Sequence, residues 1–185
     1  MQTQYKKFFT LSLWMAIVFV ALRCLISWNE IVTNPNAYDL YGYASEAVAF
    51  TVFCMMVYEK WVWRWIPFKS VPSLKKVYTG TFKSSFDDCE HAATIEIKQT
   101  LLSVHVTVTT EESKSQSLSA SIIEDHGEKQ LVYTYLNVPK SEFRHRSEIQ
   151  YGTAVLCVDN PEELTGRYYT DRKTIGDMQF TPSTN

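Results

Sequence analysis

The sequence predicts two unlike parts: an N-terminal hairpin of two transmembrane α-helices and a C-terminal all-β domain that folds as a small eight-stranded antiparallel β-barrel. Two long apolar runs lie within residues 1–69, whereas residues 75–185 contain short runs in which apolar and polar residues alternate. The charge changes at the same place, from 4 acidic and 6 basic residues before position 70 to 16 acidic and 12 basic residues after it. Residues 70–74 are therefore predicted to be a linker.

The first apolar run covers residues 8–28. At about 1.5 Å per residue, a helix of that length reaches the roughly 30 Å of a hydrocarbon core. Lys6 and Lys7 also resemble the basic start of a cleaved signal peptide. However, the run exceeds a signal peptide's apolar core, lacks a small-x-small cleavage pattern before Trp28, and is followed closely by a second run. These features favour a membrane hairpin.

The second span is predicted over residues 42–66. Its last part carries Trp61, Trp63 and Trp65, whose rings suit the headgroup layer, and Pro67 is expected to end the helix. Basic residues precede the first span and follow the second, whereas the connecting residues 29–41 contain no Lys or Arg. The positive-inside rule then predicts that both termini and the β domain are cytoplasmic.

Two charges fall inside the predicted spans. Arg23 lies five residues before the outer end of the first span at Trp28, and Glu46 lies five residues after Tyr41, so both reach a similar depth in an antiparallel hairpin. We expect them to face each other or a neighbouring subunit; the alternative is that both snorkel to the outer interface. Ser45 and Ala49 form a small-xxx-small step that permits close helix approach.

Eight runs in the second part have the alternation typical of strands. They cover residues 76–82, 93–98, 102–109, 117–124, 130–136, 148–158, 164–170 and 177–182. In the fourth run Leu118, Ala120 and Ile122 are expected to face the core, and the Asp-His-Gly turn that follows predicts a hairpin. Gly152 is expected to mark a bulge or a close approach of backbone or ligand. Eight short strands suffice for a closed barrel that can hold one small ligand; a two-sheet sandwich is the alternative.

No sequence signature of catalysis is present. The chain lacks a Walker loop, a G-x-S-x-G elbow and an H-E-x-x-H motif, and its four histidines are dispersed. Its four cysteines are widely scattered, with no C-x-x-C pair and no histidine at metal-ligand spacing beside them, so neither a disulfide framework nor a metal site is expected. The sequence therefore predicts a binding protein with no cofactor and no catalytic residue.

A candidate anion site lies in residues 164–180, LTGRYYTDRKTIGDMQF. Arg167 and Tyr169 share one face of a strand and Arg172 follows it, so an inward face would place a guanidinium and a phenol in the barrel. A buried arginine needs an anion, and its planar fork suits a phosphodiester. Tyr78 and Thr81 on the first strand would adjoin the last strand in a closed barrel, where an aromatic ring can stack on a base. Alternatively, Arg167 and Arg172 form surface salt bridges with Asp171 or Asp177.

The acidic balance of the β domain argues against a polynucleic acid, but a small anionic ligand in a pocket responds only to the local field. The arrangement of two N-terminal spans, a short linker and a minimal barrel that begins KKVYTGTF resembles the transmembrane, lipocalin-like barrel effectors of bacterial cyclic-oligonucleotide antiphage (CBASS) systems, which are associated with CD-NTases. The spacing of Gly166, Tyr168, Arg172, Gly176 and Met178 also carries the resemblance, which covers essentially the whole chain.

The resemblance implies a function. A nucleotidyltransferase would make a cyclic dinucleotide on infection, the barrel would bind it, and the effector would form homo-oligomers that disrupt the bacterial inner membrane and kill the infected cell. Our own choices for ligand contacts are Tyr78, Thr81, Arg167, Tyr169 and Arg172. Two alternatives stay open: a tethered barrel that carries a lipid or other apolar ligand, and a scaffold whose barrel binds a partner protein.

Overall fold

A computed structural model describes residues 2–34, 36–65 and 71–183. The expected helix end at Pro67 and the first residue of the expected linker, Ser70, lie outside the described residues. The chain divides into two compact units, Met1–Ile66 and Pro67–Asn185, which we describe separately.

The first unit is helical. Helix α1 covers Gln2–Ile26, α2 covers Trp28–Thr33 and α3 covers Ala37–Lys60. Two stretches, Tyr5–Ile26 in α1 and the whole of α3, are long and apolar enough to cross a membrane. Helix α3 begins earlier than the sequence predicted, because the Asn36 side chain caps it by accepting a hydrogen bond from the Tyr38 N–H at 3.1 Å. It also ends earlier, so that the tryptophan segment follows the helix and contains a short 3₁₀ turn, Val62–Arg64.

Helices α1 and α3 pack as an antiparallel pair. Phe19 meets Phe50 with ring centroids 4.8 Å apart, and further along α1 the Arg23 Nε donates to Glu46 Oε2 at 2.9 Å. The predicted pairing of these two charges is confirmed. The buried residues of α3 are Ala47, Thr51 and Met55. Ser45 and Ala49 are exposed in the described hairpin, so their small-xxx-small step does not form the α1–α3 contact.

The second unit is an eight-stranded barrel. Its strands are β1 (Val77–Ser84), β2 (Glu90–Gln99), β3 (Val104–Thr110), β4 (Ser113–Asp125), β5 (Glu128–Pro139), β6 (Gln150–Cys157), β7 (Leu164–Thr170) and β8 (Ile175–Pro182). Each strand pairs antiparallel with the next, and β8 pairs antiparallel with β1, so the sheet closes on itself. The predicted fold class is confirmed, and closure excludes the sandwich.

On the predicted inward face of the fourth run, Ile122 is buried as expected, but the prediction for Leu118 was wrong. The register of β4 against β5 shifts between Ser117 and Ser119, and this irregularity leaves Leu118 62% exposed. An extra residue in one strand reverses which side chains face the core beyond it. The hairpin after β4 is as predicted, with His126 (φ 50°) and Gly127 (φ 87°) both in the left-handed region that tight hairpin turns require.

One end of the barrel is filled by apolar side chains. Leu74, Leu101 and Val158 are buried there, next to the start of β1. The fully buried Tyr78 joins the segments that cover this end, because its hydroxyl donates to the Pro161 carbonyl at 2.9 Å and accepts from the Lys75 N–H at 2.9 Å. Burial raises the pKa of Tyr78, so the phenol stays protonated and able to donate.

We expect Tyr78→Phe to lower the free energy of unfolding by about 1–3 kcal/mol, because both backbone groups lose their partner in a buried site. Urea denaturation of the full chain, followed by the near-ultraviolet signal of the barrel, measures the change. Tyr151→Phe is the matched control, since Tyr151 is 55% exposed. Equal stabilities of the two variants would contradict the assigned role.

Candidate functional site

The other end of the barrel opens into a cavity of about 400 Å³. The cavity lies where four connections meet: β1–β2, β3–β4, the long connection from β5 to β6, and β7–β8. Side chains near these strand ends line it, among them Phe82, Ser84, His91, Ser115, Tyr133, Tyr135, Asn137, Gln150, Tyr168, Thr170 and Met178. An eight-stranded barrel is only just wide enough to be filled by its own side chains, so an open cavity at one end requires small residues at chosen positions.

Glycines make room for tyrosine rings on this wall. Gly152 on β6 is paired with Tyr135 on β5, and a Cβ at Gly152 would overlap the Tyr135 ring and hydroxyl. Gly176 on β8 is paired with Tyr168 on β7 in the same way. The sequence indicated a close approach at Gly152, and that approach is made by a side chain of the neighbouring strand. The rings can therefore lie against the sheet and leave the centre of the barrel open.

Aromatic rings form one side of the cavity. Phe82 stacks on His91 with centroids 5.3 Å apart and planes inclined by 27°, and it meets the edge of Tyr168 at 5.7 Å. The rings of Tyr133 and Tyr135 lie 5.8 Å apart on neighbouring inward positions of β5. Such rings offer flat apolar faces on which a planar heterocycle can stack.

Polar atoms without partners lie inside the same cavity. The Tyr133 hydroxyl is buried, with the residue 1% exposed, and has no hydrogen-bond partner among the described residues. The Gln150 Oε1 is likewise buried without a partner in the described chain. An unpartnered buried hydroxyl costs free energy, so a cavity that contains one is suited to a ligand with a polar group at that position. Burial raises the pKa values of Tyr133, Tyr135 and Tyr168, which keeps all three phenols protonated.

Charged side chains surround the cavity mouth. Arg172, in the β7–β8 turn, lies over the Phe86 ring at 5.8 Å and makes no ion pair within the described residues. Arg146 donates through Nη2 to the Glu112 carboxylate across the mouth. His91 Nε2 lies 2.7 Å from Asp87 Oδ2, and hydrogen bonds, first from the Cys89 N–H and then from His91, lower the Asp87 pKa. Arg172 is thus a cation at the cavity mouth, and it can bind an anion without first breaking an ion pair.

The structure divides the five residues that the sequence singled out among different parts of the barrel, and it brings together only Thr81 and Arg167, which line one pocket on the outer wall. Only Arg172 lines the cavity. Tyr78 lies at the closed end, and Thr81, Arg167 and Tyr169 lie on the outer face of the barrel. The condition that the Arg167 face points inward does not hold, because Leu164, Gly166, Tyr168 and Thr170 occupy the inward positions of β7.

Arg167 instead pairs with Asp177 at 3.4 Å, as the alternative interpretation expected, and both side chains are more than four-fifths exposed. A ligand-binding role for Arg167 and for the other members of the set stays a prediction.

Sequence reasoning missed Tyr133, Gln150 and Arg146. The alternation of β5 gave a usable signal, since Leu131, Tyr133, Tyr135 and Asn137 share a face that becomes more polar along the strand. No comparable signal marked Arg146, because its position at the mouth depends on how the β5–β6 connection folds over the barrel end.

The fold and the cavity define a class of protein. It is a closed antiparallel barrel with an aromatic and polar cavity at one end, preceded by two helices long and apolar enough to cross a membrane. The family model described as "Cap15, cyclic dinucleotide receptor domain" matches residues 69–182. The protein named CD-NTase-associated protein 15 from Staphylococcus schleiferi is 32% identical over 171 residues, which are 90% of this chain and 91% of that protein. The chain belongs to the Cap15 family, and the resemblance predicted from the sequence is confirmed.

We expect Gly152→Ala to destabilise the barrel by about 1–3 kcal/mol, because the new methyl group overpacks against the Tyr135 ring. In a Tyr135→Ala background the same substitution should cost much less, since the ring is gone. Denaturant unfolding of the two single variants and the double variant measures this coupling. Additive effects of the two substitutions would show that the ring is not what Gly152 accommodates.

Proposed function

We propose that this protein is a membrane-anchored CBASS effector whose barrel binds a cyclic dinucleotide in the open-end cavity. Ligand binding promotes self-association, and the associated helical hairpins disrupt the inner membrane, so that the infected cell dies. The observation that supports this function best is the buried Tyr133 hydroxyl, which has no partner in the described part of the chain and lies in an aromatic cavity of a protein of the Cap15 family.

The dimensions and lining of the cavity suit one end of such a ligand. A volume of about 400 Å³ lies within the roughly 300–1,000 Å³ of small-molecule sites, and the open mouth leaves space for the rest of the ligand. A base can enter against Phe82 and Tyr168 and supply an acceptor to the Tyr133 hydroxyl. Its N–H groups can donate to the Gln150 Oε1.

The phosphodiesters belong at the mouth, beside the arginines. Arg172 forms no ion pair among the described residues, and its planar guanidinium can bind two phosphate oxygens. Arg146 donates to Glu112 through Nη2, and its other N–H groups can donate to a phosphate oxygen. Asp87, Glu111 and Glu112 also line this end, and their carboxylates repel a phosphate. The phosphodiesters should therefore lie on the side of the mouth that carries the arginines, which sets the ligand's orientation.

The polar lining also favours a nucleotide over the alternative of a lipid. Buried hydroxyl and carboxamide groups without partners, such as Tyr133 and Gln150, oppose a hydrocarbon chain, which offers them no hydrogen bond. Native mass spectrometry of the purified full chain distinguishes the two ligands, since a lipid carrier retains a lipid through purification.

The membrane part is proposed as the output of the same protein. Basic residues precede the first span and follow the second, which supports a cytoplasmic position for both termini and the barrel, where a nucleotidyltransferase product is available. A ligand that binds the self-associating state more tightly shifts the population toward it, and the tethered helices then meet at high local concentration.

Arg172→Ala in the full chain should weaken binding of the cognate cyclic dinucleotide about 10- to 100-fold, because a charge-assisted contact to phosphate contributes about 1.5–3 kcal/mol. Isothermal titration of the detergent-solubilised protein against a panel of cyclic dinucleotides measures it. Arg167→Ala is the matched control, since that guanidinium lies on the outer wall and should leave affinity unchanged. If Arg167→Ala weakens binding and Arg172→Ala does not, the site is on the outer face; if the wild-type chain binds no member of the panel, the proposed function fails.

Tyr133→Phe should weaken binding about 5- to 10-fold and leave the protein at least as stable as the wild type. The hydroxyl has no partner in the described residues, so its removal costs the free protein no hydrogen bond but costs the complex one. Titration and urea unfolding on the same sample separate the two effects. A loss of stability without a loss of affinity would assign the hydroxyl to the fold.

A further inference from the structure

We propose that Arg23 and Glu46 form half of a charge cluster that a second copy of this chain completes, so that two hairpins dock on each other through it. The inference rests on the self-association proposed above and names the surface in the membrane that carries it. It is argued from a polar network in the first unit.

The network centres on Arg23. Its Nε donates to Glu46 Oε2 at 2.9 Å, its Nη1 donates to Ser27 Oγ at 2.6 Å, and its guanidinium lies over the Tyr43 ring at 4.4 Å. The Tyr43 hydroxyl donates in turn to Glu30 Oε2 at 3.1 Å. The cluster therefore connects α1, α2 and α3 on one side of the hairpin.

The network leaves bonding capacity unused. A guanidinium has five N–H donors, and the contacts of Arg23 use one on Nε and one on Nη1. Glu46 accepts through Oε2, while its Oε1 has no partner within residues 2–34, 36–65 and 71–183. The side chains of Arg23 and Glu46 are 34% and 64% exposed, so the open groups face outward.

Depth in the bilayer makes that exposure costly. Glu46 is the tenth residue of α3, roughly 13 Å along the helix from its start at Ala37. At such a depth an ionised side chain facing lipid is unfavourable, and charges in membrane helices normally face protein or each other. The intramolecular pair reduces this cost only on the side where the two residues meet.

A second copy of the chain can supply hydrogen-bond partners for the exposed groups of Arg23 and Glu46. The exposed face carries a cation with free donors beside an anion with a free acceptor, so it is complementary to itself under a two-fold rotation. Arg23 of each copy can then donate to Glu46 Oε1 of the other. Gly42 and Ala49 are exposed on the same helix, four residues before and three residues after Glu46, so they share its side, and small residues let a second backbone approach closely.

The test uses charge reversal in separate chains. Full-length Arg23→Glu and Glu46→Arg proteins, labelled with donor and acceptor dyes, are reconstituted in phosphatidylethanolamine–phosphatidylglycerol vesicles, and energy transfer between copies is measured over a dilution series. Each single variant alone should associate about tenfold more weakly than the wild type. Mixing the two variants should restore association, because a chain with two acids then meets a chain with two arginines.

The double variant Arg23→Glu/Glu46→Arg separates the competing arrangements. If the pair acts only within one hairpin, the double variant recovers and the mixture does not, and the inference is overturned. Unimpaired single variants overturn it as well. Asp39→Arg, a charge reversal at an exposed position in the first turn of the same helix, is the matched control and should associate as the wild type does.

Ligand titration of every variant distinguishes a failure of the proposed function from a failure of the proposed role of Arg23 and Glu46. At dilutions at which the wild type does not associate, the hairpin variants should bind a cyclic dinucleotide with wild-type affinity, because the barrel is a compact unit of its own and no association then contributes to binding. A wild-type chain that binds no cyclic dinucleotide contradicts the proposed function, whereas normal binding with no effect of charge reversal on association contradicts only the role of Arg23 and Glu46.

Discussion

The pairing of β8 with β1 is the constraint on which the second unit depends. Closure removes both sheet edges and fixes which residues face inward, because side chains alternate along every strand. In so small a barrel the inward positions fill the interior unless some are small. Aromatic side chains set against glycines on the neighbouring strand therefore decide both where the interior is packed and where it stays open.

Closure also separates the barrel into two ends with different chemistry. Tyr78 satisfies its hydroxyl through two backbone groups at one end, so that end is complete without a ligand. At the other end Tyr133 is equally buried but has no partner in the described chain. The same residue type on inward positions thus serves the fold in one place and is available to a ligand in the other. The difference comes from which backbone segments cross the barrel end.

The two long helices of the first unit are apolar enough to lie in a lipid bilayer, which is a different solvent from water. In water, an exposed pair such as Arg23 and Glu46 contributes little, because solvent screens it. In a bilayer the same unused donors and acceptors have no water to bind, so their exposure favours contact with another polar surface. In the proposed self-association, a few hydrogen-bonding groups therefore decide which surfaces meet, while the apolar length of the helices shows only that they are long enough to cross a membrane.

The sequence by itself determined the elements and their class. Hydropathy identified two candidate spans, alternation identified eight strands, and counting residues from the span ends put Arg23 and Glu46 at a similar depth, because each of these depends on local pattern and on the period of the helix or strand. That the two charges bond to each other was decided by the packing of α1 against α3. It located residues 164–170 as a strand but could not choose its inward face, which follows from the closed register that puts Gly166 and Tyr168 inside and Arg167 outside. The bulge that exposes Leu118 and the placement of Arg146 at the mouth were also decided only in three dimensions. These features depend on pairings between strands and on the path of a long connection, which no local pattern in the chain records.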